Sequence, residues 1–260
     1  MQLRSLAFRT DLRLLELTGS EIDDRGTHLV VRTPANPTYH WGNFLLLAEP
    51  PHPGGAREVM AAFDSEFPRA RHRAIGIDGT QPHDLEEFVA AGMTADVGVA
   101  MTSTSVVEPA RRADDATYRP LESADDWEQR VAITVANNRA DDVDGHLEFA
   151  RGKVAQEQAL TEQGYGARWG AFEGDRLVST AGLFRTDDTT ARFQSVETHP
   201  EARRRGFAGT LVHRLATHGL GDLGITTLVM VADPEAEAIR IYRALGFEVT
   251  EHVTELSQVD

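Results

Sequence analysis

Apolar positions recur along the chain with two spacings. Where they fall at every residue or every second one, the side chains fit a strand. Where they fall three and four apart, they share one helix face. In the first half this predicts strands over residues 27–33 (THLVVRT), 44–49 (FLLLAE), 73–78 (RAIGID) and 94–102. It predicts helices over 56–67, with Val59, Met60 and Phe63 inward, and over 85–91, ended by Gly92. Leu12, Leu14, Leu15 and Leu17 suggest a short amphipathic element before them. Two turn-rich stretches interrupt the pattern, 34–43 (PANPTYHWGN) and 50–55 (PPHPGG). The first carries a polar-aromatic cluster, Tyr39, His40, Trp41 and Asn43, which either covers a core edge and makes turns or lines a pocket.

Residues 107–117 (VEPARRADDAT) are polar and charged. The chain is therefore expected to divide into residues 1–107, a linker of 108–117, and residues 118–260. After the linker come a short strand at 118–121 and a helix opened by Ser123 and Asp126, a variant capping box, running through Val135. A second helix covers 147–163 and stops at Gly164. Strands at 167–172 and 177–185 form a hairpin around Glu173, Gly174 and Asp175. A third strand leads into 193–215, FQSVETHPEARRRGFAGTLVHRL. A strand at 226–231, a helix at 235–245 and a strand at 247–256 finish the chain.

The stretch 193–215 carries the strongest chemical signal. Its strand stops at Pro200, which has no N–H for a ladder. Arg203, Arg204 and Arg205 follow, then Gly206 and Gly209 around Phe207 and Ala208. A helix opens there, with Phe207, Leu211, Val212 and Leu215 on one face. A strand, a glycine turn and a helix start leave backbone N–H groups at a positive dipole end, which suits a phosphate. The arginines add forked cationic donors at its mouth. The segment has neither G-x-x-x-x-G-K-[ST] nor G-x-G-x-x-G, so a P-loop is excluded and a dinucleotide-binding enzyme disfavoured.

What it has is R-x-x-G-x-A, on Arg203, Gly206 and Ala208. That spacing resembles the acyl-coenzyme A loop of the GNAT superfamily of N-acetyltransferases. The segment AIRIYRALGF, with Ala238, Tyr242, Leu245, Gly246 and Phe247, is similar to that superfamily's closing A-x-x-x-Y-x-x-x-GF signature. The order of elements from about Tyr118 onward matches as well. The resemblance implies an α/β (α+β) chain with a GNAT acyltransferase fold, a mixed central sheet flanked by helices. From Phe44 the first half repeats the order strand, Gly-Gly turn, helix, strand, helix, strand. Its FVAAGM (88–93) sits where YRALGF (242–247) sits in the second half, with Phe88 in place of a tyrosine and no arginine triplet. It reads as a second, degenerate GNAT-like half.

The resemblance also implies roles. The cofactor is acetyl-CoA or another acyl-CoA, used as co-substrate. The backbone N–H groups of Gly206, Phe207, Ala208 and Gly209 would take its pyrophosphate, with the Thr210 hydroxyl as a further donor and Arg203, Arg204 and Arg205 on its phosphates. Backbone at Val196 and Thr198 would hold the thioester and pantetheine arm. Tyr242 would protonate the leaving thiolate; its alternative role is packing. Glu197 is either the base that receives the amine's proton or a strand carboxylate paired with an arginine. His199 is an alternative base, or a solvated histidine. Many relatives carry an asparagine seven residues before the tyrosine. Here that residue is Glu235, so the arm is held by backbone or by Asp233. The implied reaction is direct acyl transfer to a primary amine, on a small molecule or a peptide. The alternative is a catalytically silent CoA-binding or interaction module.

Composition narrows the partners. The chain has 260 residues, a net charge of -15 and no cysteine, which removes disulfides and thiolate metal sites. There is no H-E-x-x-H, and His213 and His218 lie off a common helix face, so no metal is expected. The acidity argues against nucleic acid and leans weakly toward a cationic acceptor. No apolar run approaches membrane-spanning length and the N-terminus is unlike a signal peptide, so the expectation is a cytoplasmic protein, with a homodimer compatible. Nearly all basic residues are arginine; Lys153 is the one lysine.

Overall fold

The apolar run 44–47 is dense because its strand is covered on both faces. In the computed structural model, which describes residues 1–137 and 143–259, β3 (Phe44–Leu47) is buried at every position. It pairs in parallel with β4 (His72–Ile77) and antiparallel with β2 (His28–Arg32). The parallel pair needs a crossover, supplied by α2 (Ala56–Glu66). α1 (Leu6–Leu17) starts at Ser5, whose hydroxyl accepts from Phe8 N–H. α1 packs Phe8, Leu12 and Leu15 into the same core as Phe63, Ile75 and Ile77. Each such buried side chain contributes roughly 1.5–3 kcal/mol. The sequence pattern gives no strand at β1 (Glu21–Asp24), since EIDD has one apolar residue. A left-handed turn at Gly26 (φ 85°) nonetheless returns it as a hairpin edge on β2.

The chain forms two compact units. The first takes the described residues of 1–100, 231–234 and 249–260; the second those of 101–230 and 235–248. These limits differ from the division expected at 108–117. The last strand, β11 (Glu248–Val259), pairs antiparallel with β4, Thr254 opposite Ile77 through Val259 opposite His72. Val253 and Leu256 enter the first core. The first unit's strand order is thus β1-β2-β3-β4-β11-β5, β5 being Thr94–Ser103, which follows α3 (Glu86–Ala90).

In the second unit the order is β10-β9-β8-β7-β6. These are β6 (Thr117–Pro120), β7 (Gly166–Glu173), β8 (Arg176–Arg185), β9 (Thr190–Thr198) and β10 (Thr227–Ala232). β6 to β9 are antiparallel neighbours and β10 joins β9 in parallel after α6 (Phe207–Gly221). α4 (Ala124–Asn137) and α5 (Val143–Glu162) precede β7, and α7 (Ala238–Ala244) follows β10. The capping box forms reciprocally at α4. Ser123 Oγ accepts from Asp126 N–H, while Asp126 accepts from the N–H groups of Ser123 and Glu122. Arg119 grips the same carboxylate at 2.7 and 2.9 Å. α7 begins at Ala238, not 235, because residues 234–237 form the turn that enters it.

Each unit contains the same closing turn. α3 ends with Met93 N–H donating to Phe88 C=O at 3.0 Å and Gly92 at φ 96°. α7 ends with Phe247 N–H donating to Tyr242 C=O at 3.0 Å and Gly246 at φ 95°. Both are left-handed glycine caps that satisfy the last carbonyls of a short helix. The order β3, turn, α2, β4, α3, β5 therefore repeats as β9, turn, α6, β10, α7, β11 down to the cap geometry.

Candidate active site

β9 bends where the sequence alternation is regular. Its register with β8 slips between Thr180 and Gly182, so Ser195 and Val196 have no partner residue across β8. Ser195 has φ 44°, a strained value for a residue with a Cβ. The bulge is clamped from beneath. Arg168, fully buried on β7, donates to the carbonyls of Gln194 (2.9 Å) and Ser195 (3.2 Å). On the other edge the ladder to β10 covers only Thr190 to Arg192. β9 thus leaves β10 before reaching Val196 and Thr198, and its backbone on that edge is free to pair with an extended ligand. Ser179 Oγ holds the far end, donating to Glu197 C=O and sharing a hydrogen bond with Thr198 Oγ1.

α6 starts at the expected turn. Gly206 is its N-cap at φ 94° and no side chain caps the helix. The first-turn N–H groups of Phe207, Ala208 and Gly209 are those that an anion would satisfy. The arginines are not equivalent. Arg203 donates to Asn137 Oδ1 at 2.7 Å. Arg205 forms a forked pair with Glu173 and stacks on Phe207 with 4.8 Å to the ring centre. Exposed Arg204, at φ 60°, makes no side-chain hydrogen bond or ion pair among the described residues. The Thr210 hydroxyl is not the spare donor expected from the sequence: it donates to Gly206 C=O (3.0 Å) and accepts from Ala113 N–H (3.1 Å).

That last bond exposes a second difference. The stretch read as a linker is a strap on this unit. Arg111 C=O lies 2.9 Å from where a Cβ on Gly206 would stand, and Pro109 3.6 Å from that of Gly209. Val107 N–H donates to Leu245 C=O, and Ser103 Oγ to Gly246 C=O. A Cβ at Gly206 would thus press on the strap, whereas one at Gly209 would meet it at ordinary contact distance. Tyr242 on α7 is 6% exposed, and burial pushes its phenol up to about 12. It therefore stays protonated across the neutral range, as a proton donor must. Asp233 is exposed and belongs to the first unit; Glu235 lies in the turn before α7.

The sequence model of the FR47-like protein family matches residues 168–255. No curated protein matches the chain in sequence. Solved structures match over nearly its full length. A GCN5-related N-acetyltransferase from Kribbella flavida is 16% identical, with 98% of this chain and 96% of that chain covered and a TM-score of 0.66. A tandem GNAT protein of the clavulanic acid biosynthesis pathway is 14% identical, with 98% and 96% covered and a TM-score of 0.55. This chain has the GNAT fold. A conserved protein of unknown function from Staphylococcus epidermidis shares it at 12% identity, with 94% and 95% covered and a TM-score of 0.69.

Within this GNAT fold, the expected base is tied into a buried network that the sequence did not reveal. Glu197 Oε2 lies 2.5 Å from Arg130 Nη1 and accepts from Thr134 Oγ1 at 3.3 Å. Arg130 is 1% exposed and also faces Glu157, at 3.5 Å. Glu157 in turn pairs with Arg168 at 2.7 and 2.9 Å. Burial alone would raise the Glu157 carboxyl, but Arg168 and then Arg130 outweigh it and hold it below the ordinary carboxylate range. Burial, with Arg130 adding to it, pulls the Arg168 guanidinium down to about 10. The paired-carboxylate reading of Glu197 is thus realised, and the same side chain borders a cavity of about 280 Å³ shared with Arg130, Asn137, Phe149, Lys153 and Ser195.

His199 acts locally: its Nδ1 accepts from Glu201 N–H and caps a short 3-10 turn at Pro200–Ala202. The aromatic cluster of the first unit builds scaffold. Asn43 fastens the backbone of Thr33, Asn36 and Tyr39, His40 stacks on His72 at 4.1 Å, and Trp41 meets the edge of Phe44. Among the described residues no three His, Asp or Glu side chains are grouped to hold a metal ion. No described helix is long and apolar enough to cross a membrane.

Proposed function

We propose that the protein is an acyl-CoA-dependent N-acyltransferase that moves acetyl from acetyl-CoA directly to a primary amine. The observation that carries this reading is a coincidence within one unit. β9 parts from β10 just before the uncapped start of α6 at left-handed Gly206. An extended arm with a pyrophosphate at one end needs both features, and the donors present are of the right kind: backbone N–H groups and arginines, with no carboxylate bonded at the first turn among the described residues.

Acetyl-CoA supplies the activated acyl group when bound. Backbone at Val196 and Thr198 takes the arm, and Gly206, Phe207, Ala208 and Gly209 take the pyrophosphate. Arg204 is the arginine ready for a phosphate; Arg203 and Arg205 reach one by leaving Asn137 and Glu173. Glu197, on the bulge, receives the amine. The nitrogen lone pair bonds to the acyl carbon and the carbon–sulfur bond breaks with its electron pair on sulfur. Glu197 takes the proton the nitrogen sheds, directly or through water, while Tyr242 gives one to the sulfur and is reprotonated from solvent. The first unit, with Phe88 at the position of Tyr242, has no phenol to donate there and serves as a degenerate copy.

Calorimetric titration with acetyl-CoA tests the assignment. Wild type is expected to bind in the micromolar range. Ala208→Glu, which sets a carboxylate at the α6 start without disturbing left-handed Gly206, should abolish binding while leaving the melting temperature within a few degrees. Equal binding by both would remove the cofactor from this turn. Binding without acceptor-dependent release of free coenzyme A, across a broad amine screen, would support the silent CoA-binding module instead.

A further inference from the structure

Arg168 reaches the β9 bulge across an intervening strand. It sits on β7, and β8 lies between β7 and β9. The β8 residue opposite Arg168 is Gly182, which in turn lies opposite Gln194 of β9. A Cβ at Gly182 would stand 3.2 Å from Arg168 Nη2. The guanidinium therefore crosses β8 over a glycine, where the β8–β9 register slips. Each of its nitrogens has a partner. Nε faces Glu157 Oε2 at 2.7 Å. Nη2 donates to Glu157 Oε1 and Gln194 C=O, both at 2.9 Å. Nη1 donates to Thr180 Oγ1 at 3.1 Å and Ser195 C=O at 3.2 Å. Only a planar fork with five donors can hold this set at once.

The two bonds to β9 fix the direction of the backbone groups that follow. In a trans peptide the carbonyl and the next N–H point opposite ways. Ser195 C=O is turned back toward Arg168, on the β8 side. The Val196 N–H therefore points to the other side, along the edge that β10 leaves after Arg192. The left-handed φ of 44° at Ser195 is a strained conformation that persists only under such a tether. Arg168 itself has no solvent exposure, so it acts on a ligand only through the backbone it holds.

We propose that Arg168 is the positioning residue of the thioester site: its grip on the Gln194 and Ser195 carbonyls aims the Val196 N–H at the acyl oxygen. This rests on the acyltransferase reading, which lays the arm on Val196, and adds the side chain that sets the direction of that backbone. As the amine nitrogen bonds to the acyl carbon, negative charge gathers on the acyl oxygen. A donor already fixed there stabilises that charge without reorganisation. The bonds made and broken in the transfer are unchanged.

The test reads the carbonyl of bound acetyl-CoA on the full chain with no acceptor present, by isotope-edited difference infrared spectroscopy. In wild type the thioester stretch should fall below that of free acetyl-CoA. Arg168→Lys keeps a cation facing Glu157 but lacks the fork that spans two carbonyls. It should lose most of the shift, while the Kd for acetyl-CoA stays within about tenfold, the most that one neutral hydrogen bond is worth. Thr180→Val removes the Arg168 bond on β8 and leaves both β9 bonds, so it should lower stability yet keep the shift. A full shift in Arg168→Lys, or an equal loss in Thr180→Val, would overturn the proposal. If Arg168→Lys does not fold, the wild-type Val196 amide resonance decides. It should move when acetyl-CoA replaces coenzyme A, because only the former carries the acyl oxygen, and an unmoved resonance would overturn the proposal. Acetyl-CoA bound by wild type with an unshifted carbonyl would remove the positioning role alone. Failure of wild type to bind acetyl-CoA, read in a separate titration, would overturn the acyltransferase reading and this role with it.

Discussion

A guanidinium with no solvent exposure persists only if its charge and its donors are all answered, because desolvating it costs several kcal/mol. Arg168 is answered by Glu157, Thr180 Oγ1 and the two carbonyls of the β9 bulge. Replacing it with Met should leave Glu157 buried opposite Arg130 alone and release the bulge. A loss of about 3–5 kcal/mol in urea unfolding is expected. A loss below about 1 kcal/mol would show that the clamp is dispensable. Tyr242→Phe keeps the ring and its burial, so stability and the Kd for acetyl-CoA should hold. kcat should fall by about 10²-fold or more, the usual worth of a positioned general acid. Unchanged kcat would return Tyr242 to packing. Asp126 gives a pH signature. Arg119 first, then the N–H groups of Glu122 and Ser123, hold its carboxyl far below the ordinary range against the opposing effect of burial. A carboxyl depressed in the fold stabilises above its unfolded pKa of about 4 and loses that contribution as pH falls below it. Asp126→Asn should therefore lower stability at pH 7 and flatten its decline below about pH 4 in acid-titrated thermal melts.

At the scale of elements, helix ends and glycines were the most legible features. Gly92, Gly164 and Gly246 all take the positive φ that a stop in the periodic pattern implies. The two copies of the α3 and α7 cap offer a paired measurement. An added Cβ at φ 96° or 95° costs about 1–2 kcal/mol, so Gly92→Ala and Gly246→Ala should each destabilise by that amount. Denaturation followed by urea would read both, and a neutral effect at either would mean that the cap there relaxes. Strand β1 went unread because an edge strand needs only backbone partners, and EIDD advertises no buried face. The strap was misread for a related reason. Its exposed charged side chains describe a tether, whereas its contacts are made by backbone at Arg111, Ala113 and Val107.

For the whole molecule, the partner of the last strand matters most. β11 supplies Thr254–Val259 to β4 and buries Val253 and Leu256 in the first core. A chain ending at Glu248 should lose amide protection in His72–Ile77 by hydrogen exchange, and Leu256→Asp should do the same in part. Full protection in both would mean that the first unit closes without β11. The sequence by itself determined the sequential facts: most of the strands and helices, β1 excepted, and where glycine turns open α6 and close α7. These follow from local spacing and from backbone angles that only glycine adopts readily. Tertiary structure alone decided what pairs with what. The buried Arg168–Glu157–Arg130–Glu197 chain joins residues on β7, α5, α4 and β9 that no periodicity links. The same holds for the two arginines committed to Asn137 and Glu173, and for the strand that closes the first unit. Side-chain pattern records how much of a residue is buried, while its partner is set by long-range packing that leaves no local mark.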